Sequence, residues 1–126
     1  MNSVHFLNEL GYVVGDSGLI LKTTNAGISW LSLNSGVNLN LSKITLIDLN
    51  IAMIVGDEGV FLKTTNSGVN WNSYSTGQSK KLNSIISTSS GVQYIVGDSS
   101  ILLKSINGGQ NWQQIILPTI TYNLND

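Results

Sequence analysis

The chain has 126 residues, 41% hydrophobic and only 10% charged, with a net charge of −1 and no cysteine. That excludes disulfides, thiolate metal sites and thiol catalysis, and its six cations, all lysine, are too few to assemble a nucleic-acid-binding patch. No apolar run approaches the roughly 20 residues of a membrane-spanning helix, and the abundance of aliphatic, Gly, Ser, Thr and Asn residues argues for a folded β-protein rather than a disordered chain.

The stretch from Met1 to Phe6 carries no basic segment, long apolar run or small-residue cleavage site. No signal peptide is therefore expected, and the chain reads as cytoplasmic or as an excised extracytoplasmic domain. Pro118 is the only proline and no linker composition interrupts the chain, so 1–126 reads as one domain.

From residue 11 onward a repeat dominates. The segments Gly11 to Trp30, Ala52 to Trp71 and Gln93 to Trp112 align throughout, with Trp30, Trp71 and Trp112 spaced by 41 residues, as are Asp16, Asp57 and Asp98. The second copy shows the predicted elements in order. Ile44 to Ile47 is a strand, Asp48 to Asn50 a turn and Ile51 to Val55 a second strand. Gly56 to Gly59 is a tight turn, in which glycine supplies positive φ and Asp57 is expected to bond its own backbone. Val60 to Thr65 is the third strand, Asn66 to Gly68 a turn, and Trp71 opens the fourth.

The second and third strands carry continuous apolar runs: Tyr12 to Val14, Met53 to Val55 and Tyr94 to Val96, then Leu19 to Leu21, Val60 to Leu62 and Ile101 to Leu103. A strand with one wet face alternates, whereas a strand covered on both faces need not. Four-stranded antiparallel sheets stacked face to face are propeller blades. The expected fold is all-β, with three blades at about 1–40, 41–81 and 82–117, followed by a strand or strap at 118–126.

The turn before each tryptophan resembles the Asp-box, or bacterial neuraminidase repeat, of pattern Ser/Thr-x-Asp-x-Gly-x-Thr-Trp. It is carried here by Asn25, Gly27 and Trp30, by Asn66, Gly68 and Trp71, and by Asn107, Gly109 and Trp112. Within that class the Val-Gly-Asp-x-Gly and Leu-Lys-Thr-Thr frame is similar to the photosystem II stability/assembly-factor type of propeller. The box aspartate is asparagine in all three copies, which can still accept the turn's backbone N–H bonds but weakens any metal role. The arginine-rich partner patch that the resemblance implies has no counterpart, because the chain has no arginine. The same absence removes a sialidase reading, which the resemblance ties to an arginine triad gripping a carboxylate.

The remaining candidates are few. Asp16, Asp57, Glu58 and Asp98 would form an acidic rim on one face, a weak cation or basic-ligand surface set against a plain solvated turn. Lys22, Lys63 and Lys104 recur on the third strand, and are read as stems packed on the blade with amines in water rather than as an anion ring. His5 has no ligand or triad partner at fixed spacing and reads as a strand residue. The three tryptophans read as core beneath the boxes, and the less repetitive Tyr74 and Tyr122 as weak ligand candidates. Ser17, in a Gly-Asp-Ser-Gly turn, has no histidine base and belongs to the repeat.

Three blades fall short of the usual range of about four to eight, leaving two terminal faces to be covered. The sequence therefore leads to a homodimer closing as one six-bladed ring, a non-enzymatic scaffold binding a protein, peptide or glycan with no cofactor. The other readings are an Asp-box lectin or glycosidase-like protein, and a fragment or engineered half of a longer propeller.

Overall fold

Residues 1–116 are described by the structure, a computed structural model. Their twelve strands fall into three antiparallel sheets, each paired in simple chain order. The first blade comprises β1 (Ser3–Leu7), β2 (Leu10–Val14), β3 (Ile20–Thr23) and β4 (Leu31–Leu33). The second comprises β5 (Leu41–Leu46), β6 (Ala52–Gly56), β7 (Phe61–Thr64) and β8 (Asn72–Ser73). The third comprises β9 (Leu82–Ser87), β10 (Gln93–Gly97), β11 (Ile101–Ser105) and β12 (Gln113–Gln114). The all-β, three-blade expectation holds. The segment 118–126, expected as a strand or strap, lies outside the described residues.

The apolar runs follow from how the blades stack. Along β6, Ala52 and Ile54 enter a cluster shared with Tyr12, Val14 and Ile20 of the first blade. Their alternate neighbours Met53 and Val55 enter a second cluster with Ile85, Ile95 and Leu103 of the third. Successive side chains of a strand point to opposite faces, so a blade between two others needs apolar residues at every position. Each fully buried aliphatic or aromatic side chain in these seams contributes about 1.5–3 kcal/mol. In the third blade, β10 and β11 instead alternate between buried and half-buried positions, because Tyr94, Val96 and Leu102 face away from the second blade.

Two details depart from the sequence reading. The first strand of the second blade begins at Leu41 rather than Ile44, because Leu41 is fully buried and the register shifts between Leu41 and Lys43 to bring it inward. The first blade is one residue shorter than the others: Asn8, at φ 58°, and Glu9 close β1 onto β2, while in the second blade the Asp48 carboxylate accepts the amides of Asn50 and Ile51 in a longer turn.

The inner strands β1, β5 and β9 lie side by side. Ser3 and His5 of β1 face β5, where the Ser3 hydroxyl accepts the Ile44 amide at 3.3 Å and His5 Nδ1 the Leu46 amide at 2.8 Å. These side chains satisfy N–H groups that the sheet edge leaves unpaired.

Candidate functional site

The turns joining second to third strands sit at one end of the inner strands. Each is a single 3₁₀ turn, at Asp16–Gly18, Asp57–Gly59 and Asp98–Ser100, with Ser17, Glu58 and Ser99 left-handed at φ 57°, 56° and 60°. The aspartates do not bond their own backbone through their side chains, as the sequence reading supposed. The turn closes through main-chain bonds, Leu19 N–H to the Asp16 carbonyl and Val60 N–H to the Asp57 carbonyl. The carboxylates turn to the inner strands instead: Asp16 accepts from the Asn2 amide and Asp98 from the Asn83 amide, both at 2.9 Å.

Of the four proposed rim acids, the fold brings Asp16 and Asp57 to one polar cleft of about 370 Å³, together with Asn2, Asn83 and Lys81. Asp98 does not line that cleft but bonds two residues that do, its carboxylate accepting from Asn83 and its N–H donating to the Lys81 carbonyl, and Glu58 stands on an exposed turn outside it. Among the described residues no group of three His, Asp or Glu side chains is gathered closely enough to hold a metal ion.

The box turns share one construction. In the second, the Thr64 hydroxyl donates to Asn66 Oδ1 and accepts the Gly68 amide, while Asn66 Oδ1 also accepts the Asn70 amide, all at 2.9 Å. Asn66 Nδ2 then donates to Asn70 Oδ1 at 3.0 Å, and Asn25 and Asn107 make the same bond to Ser29 and Asn111. Asparagine keeps the acceptor role of the box aspartate and adds a donor, which is the structural use of the substitution.

The box turns also form the joints between blades. The Lys22 ammonium donates to the Ser67 carbonyl and hydroxyl of the second box, and Lys63 to the Gly108 carbonyl of the third. The amines of Lys22 and Lys63 therefore do not simply reach water; each of the two clamps the next blade's turn. An aromatic ring reinforces each clamp. Tyr12 meets Trp71 edge-on at 5.9 Å, and Phe61 meets Trp112 at 5.2 Å. A Cβ on Gly109 would lie 2.5 Å from the Phe61 ring and one on Gly68 3.1 Å from the Tyr12 hydroxyl, so glycine at the box centre admits the neighbouring blade's aromatic. Burial raises the Tyr12 phenol above its usual pKa, and the Ser67 hydroxyl partly offsets this.

The tryptophans therefore differ. Among the described residues Trp71 and Trp112 are half-buried beneath the preceding blade with no partner for their Nε1 atoms, whereas Trp30 is 39% exposed and its one aromatic contact is Phe6 of its own blade, at 6.0 Å. Tyr74, a ligand candidate from sequence, packs on Phe61 at 6.2 Å, and Tyr122 lies outside the described residues.

Gln93 was not singled out from the sequence, and His5 was read there as a strand residue. His5 and Gln93 line a second cleft at the opposite end of the inner strands. Their signal is departure from the repeat: Gln93 stands where the other blades have Gly11 and Ala52, and His5 where they have Thr45 and Ile86. The His5 imidazole has its pKa lowered below 6.5 by burial and then by the charge of Lys43.

The geometry agrees with the relatives. No curated protein matches the chain. Among solved structures, YCF48 from Cyanidioschyzon merolae superposes with a TM-score of 0.79 at 25% identity over 98% of this chain. YCF48 bound to D1 peptide gives 0.74 at 23% over 94%, and an ancestral GH74 enzyme gives 0.70 at 18% over 90%. The chain spans 39% of the length of each YCF48 structure and 20% of the GH74 enzyme. The family model of photosynthesis system II assembly factor YCF48 matches twice, over residues 1–91 and 34–120. On the strength of that coverage, the chain belongs to the photosynthesis system II assembly factor YCF48 family.

Proposed function

We propose that the chain is a non-enzymatic propeller module that binds a protein or peptide and completes its ring by pairing its end blades with those of a second copy. The observation that supports the pairing is a junction built twice in full and left twice as a half. Lys22 with Tyr12, and Lys63 with Phe61, each grip the following box. Lys104 is the third lysine of the series and has no acceptor among the described residues. At the other end, no lysine reaches Ala26, the first-blade counterpart of Ser67 and Gly108, and Val4 and Phe6 are 57% and 42% exposed. On the third blade Ile86 is 58% exposed on the face that carries Tyr94. Donor and acceptor, aromatic and box thus stand at opposite ends of one chain, as a closed head-to-tail pair requires. Two copies supply six blades, within the usual range of about four to eight.

Membership in an assembly-factor family supports the protein or peptide partner, as does the existence of a YCF48 structure with a bound D1 peptide. The acids favour a structural role over catalysis. Asp16, Asp57 and Asp98 occupy one repeated turn, and Asn2 and Asn83 engage two of them.

Because the chain has no cysteine, the pairing has a direct test. A Val4→Cys, Ile86→Cys double variant, which leaves Lys104 in place and puts one thiol on each open end face, should be cross-linked between chains by a short bis-maleimide. A Lys22→Cys, Ser67→Cys variant should cross-link only within a chain. Failure of the first pair while the second reacts would contradict the pairing. The same experiment on the intact polypeptide separates a second copy from further blades carried in cis.

A further inference from the structure

The end of the inner strands away from the aspartate turns holds a cleft of about 510 Å³ to which all three blades contribute. This is within the span of roughly 300–1,000 Å³ common for ligand sites. His5 comes from β1, Leu46 and Ile47 from the end of β5 and its turn, Ser87 from β9, and Gln93 from the start of β10. Thr88 and Gly91, from the loop joining β9 to β10, complete the rim.

Gln93 is the unusual member. It is 3% exposed, its Nε2 donates to the Ser87 hydroxyl at 3.0 Å, and its Oε1, closed to solvent, has no partner among the described residues. Turning the carboxamide round would pair the oxygen with Ser87 and leave the nitrogen unpaired, so in either orientation one half of the group is unsatisfied. Buried polar atoms are otherwise almost always paired, and the equivalent positions in the other blades are Gly11 and Ala52, which carry no such group. His5 supplies the complementary chemistry. Its Nδ1 accepts the Leu46 amide, which fixes the neutral tautomer with the proton on Nε2.

We propose that this cleft binds a neutral amide, the main-chain or side-chain carboxamide of a peptide, the Gln93 carboxamide swinging toward the cleft so that Oε1 accepts its N–H while His5 Nε2–H donates to its C=O. This rests on the peptide-binding reading above and places its contact at this cleft. The lining favours an amide over an ion or a sugar. Among the described residues no charged side chain lines it to hold an ion, and no aromatic ring other than the imidazole offers a stacking platform for a sugar. Leu46 and Ile47 supply an apolar wall for the carbon atoms beside an amide. The site lies within one chain, so it does not depend on ring closure.

The test is a titration of the isotopically labelled full chain with acetyl-glycyl-glycine amide, followed by NMR at the His5 ring nitrogens and the Gln93 carboxamide. Both should shift and saturate together, and Gln93→Leu should weaken binding about tenfold, the worth of one hydrogen bond. Maltotriose and acetate should move neither group. Equal binding of maltotriose, or unchanged affinity in Gln93→Leu, would overturn the amide assignment. If the capped peptide shifts other residues but not these two, the cleft is wrong while peptide binding stands. If neutral, acidic and basic capped peptides all leave every resonance in place, the peptide reading falls as well. The wild-type titration decides these last two outcomes without any variant.

Discussion

The Lys63 ammonium donates to the Gly108 carbonyl at 2.7 Å, joining the third strand of one blade to the box turn of the next. Lys22 makes the same reach to Ser67. Replacing either lysine by methionine keeps the packed stem and removes only the donor. Lys22→Met and Lys63→Met should each cost about 1–3 kcal/mol in urea unfolding, the range of a hydrogen bond from a charged group. Lys104→Met should leave the unfolding of the separated chain within about 0.5 kcal/mol and should weaken association instead. Equal losses at all three positions in the separated chain would contradict the junction scheme.

The box asparagines should tolerate aspartate better than alanine. Asn66→Asp retains the acceptor used by Thr64 and Asn70, and the Asn70 side chain can turn its amide toward the new carboxylate. Asn66→Ala loses every one of these bonds. We expect the aspartate variant within about 1 kcal/mol of wild type and the alanine variant about 2 kcal/mol or more below it, by thermal or urea unfolding. The reverse order would refute the hydrogen-bond account of the turn.

The 3₁₀ turns differ in what crosses them. A Cβ at Gly18 would lie 2.0 Å from the Val37 carbonyl oxygen, and one at Gly59 2.0 Å from that of Gln78. Both glycines also hold positive φ, at 75° and 71°. The third turn has Ser100 at that place, with φ 62°. Gly18→Ala and Gly59→Ala should each destabilise by about 2 kcal/mol or more, whereas Ser100→Gly should gain up to about 1 kcal/mol by relieving a left-handed residue. Calorimetry on the three variants checks this contrast.

His5 ties stability to pH. Its folded-state pKa is below 6.5, because burial and Lys43 disfavour the cation, and protonation would place a donor against the Leu46 N–H. The unfolded chain therefore binds the proton more readily. The His5 contribution is complete above the unfolded value, shrinks as pH falls from about 6.5 toward the folded value, and levels off below it. Urea unfolding between about pH 7.5 and 5.5 should show falling stability, and His5→Gln, which keeps an acceptor, should flatten that decline. An unchanged slope in the variant would remove His5 as its source.

Much of the fold was legible because repetition exposes it. Tryptophans and aspartates recurring at 41 residues set the blade count, and the continuous apolar runs of β2 and β6 anticipated seams on both faces. The joints were not legible. Lys22 and Lys63 each bond a residue 45 positions ahead, in the next repeat. Periodicity shows that a lysine recurs, not what it faces across a seam. The start of β5 was misplaced because the shift near Ser42 breaks strict alternation, hiding Leu41 as a core residue. Gln93 was passed over for the opposite reason, because attention to what repeats discounts the positions that do not, and His5 was set aside for want of a ligand or triad partner at fixed spacing; the two meet at the second cleft.

The central claim is that the end blades pair between copies, and the mass of the chain in solution tests it most directly. Light scattering at micromolar concentration should give twice the 13.5 kDa chain mass, falling toward a single mass in Lys104→Met. A wild-type mass of 13.5 kDa at that concentration would contradict it.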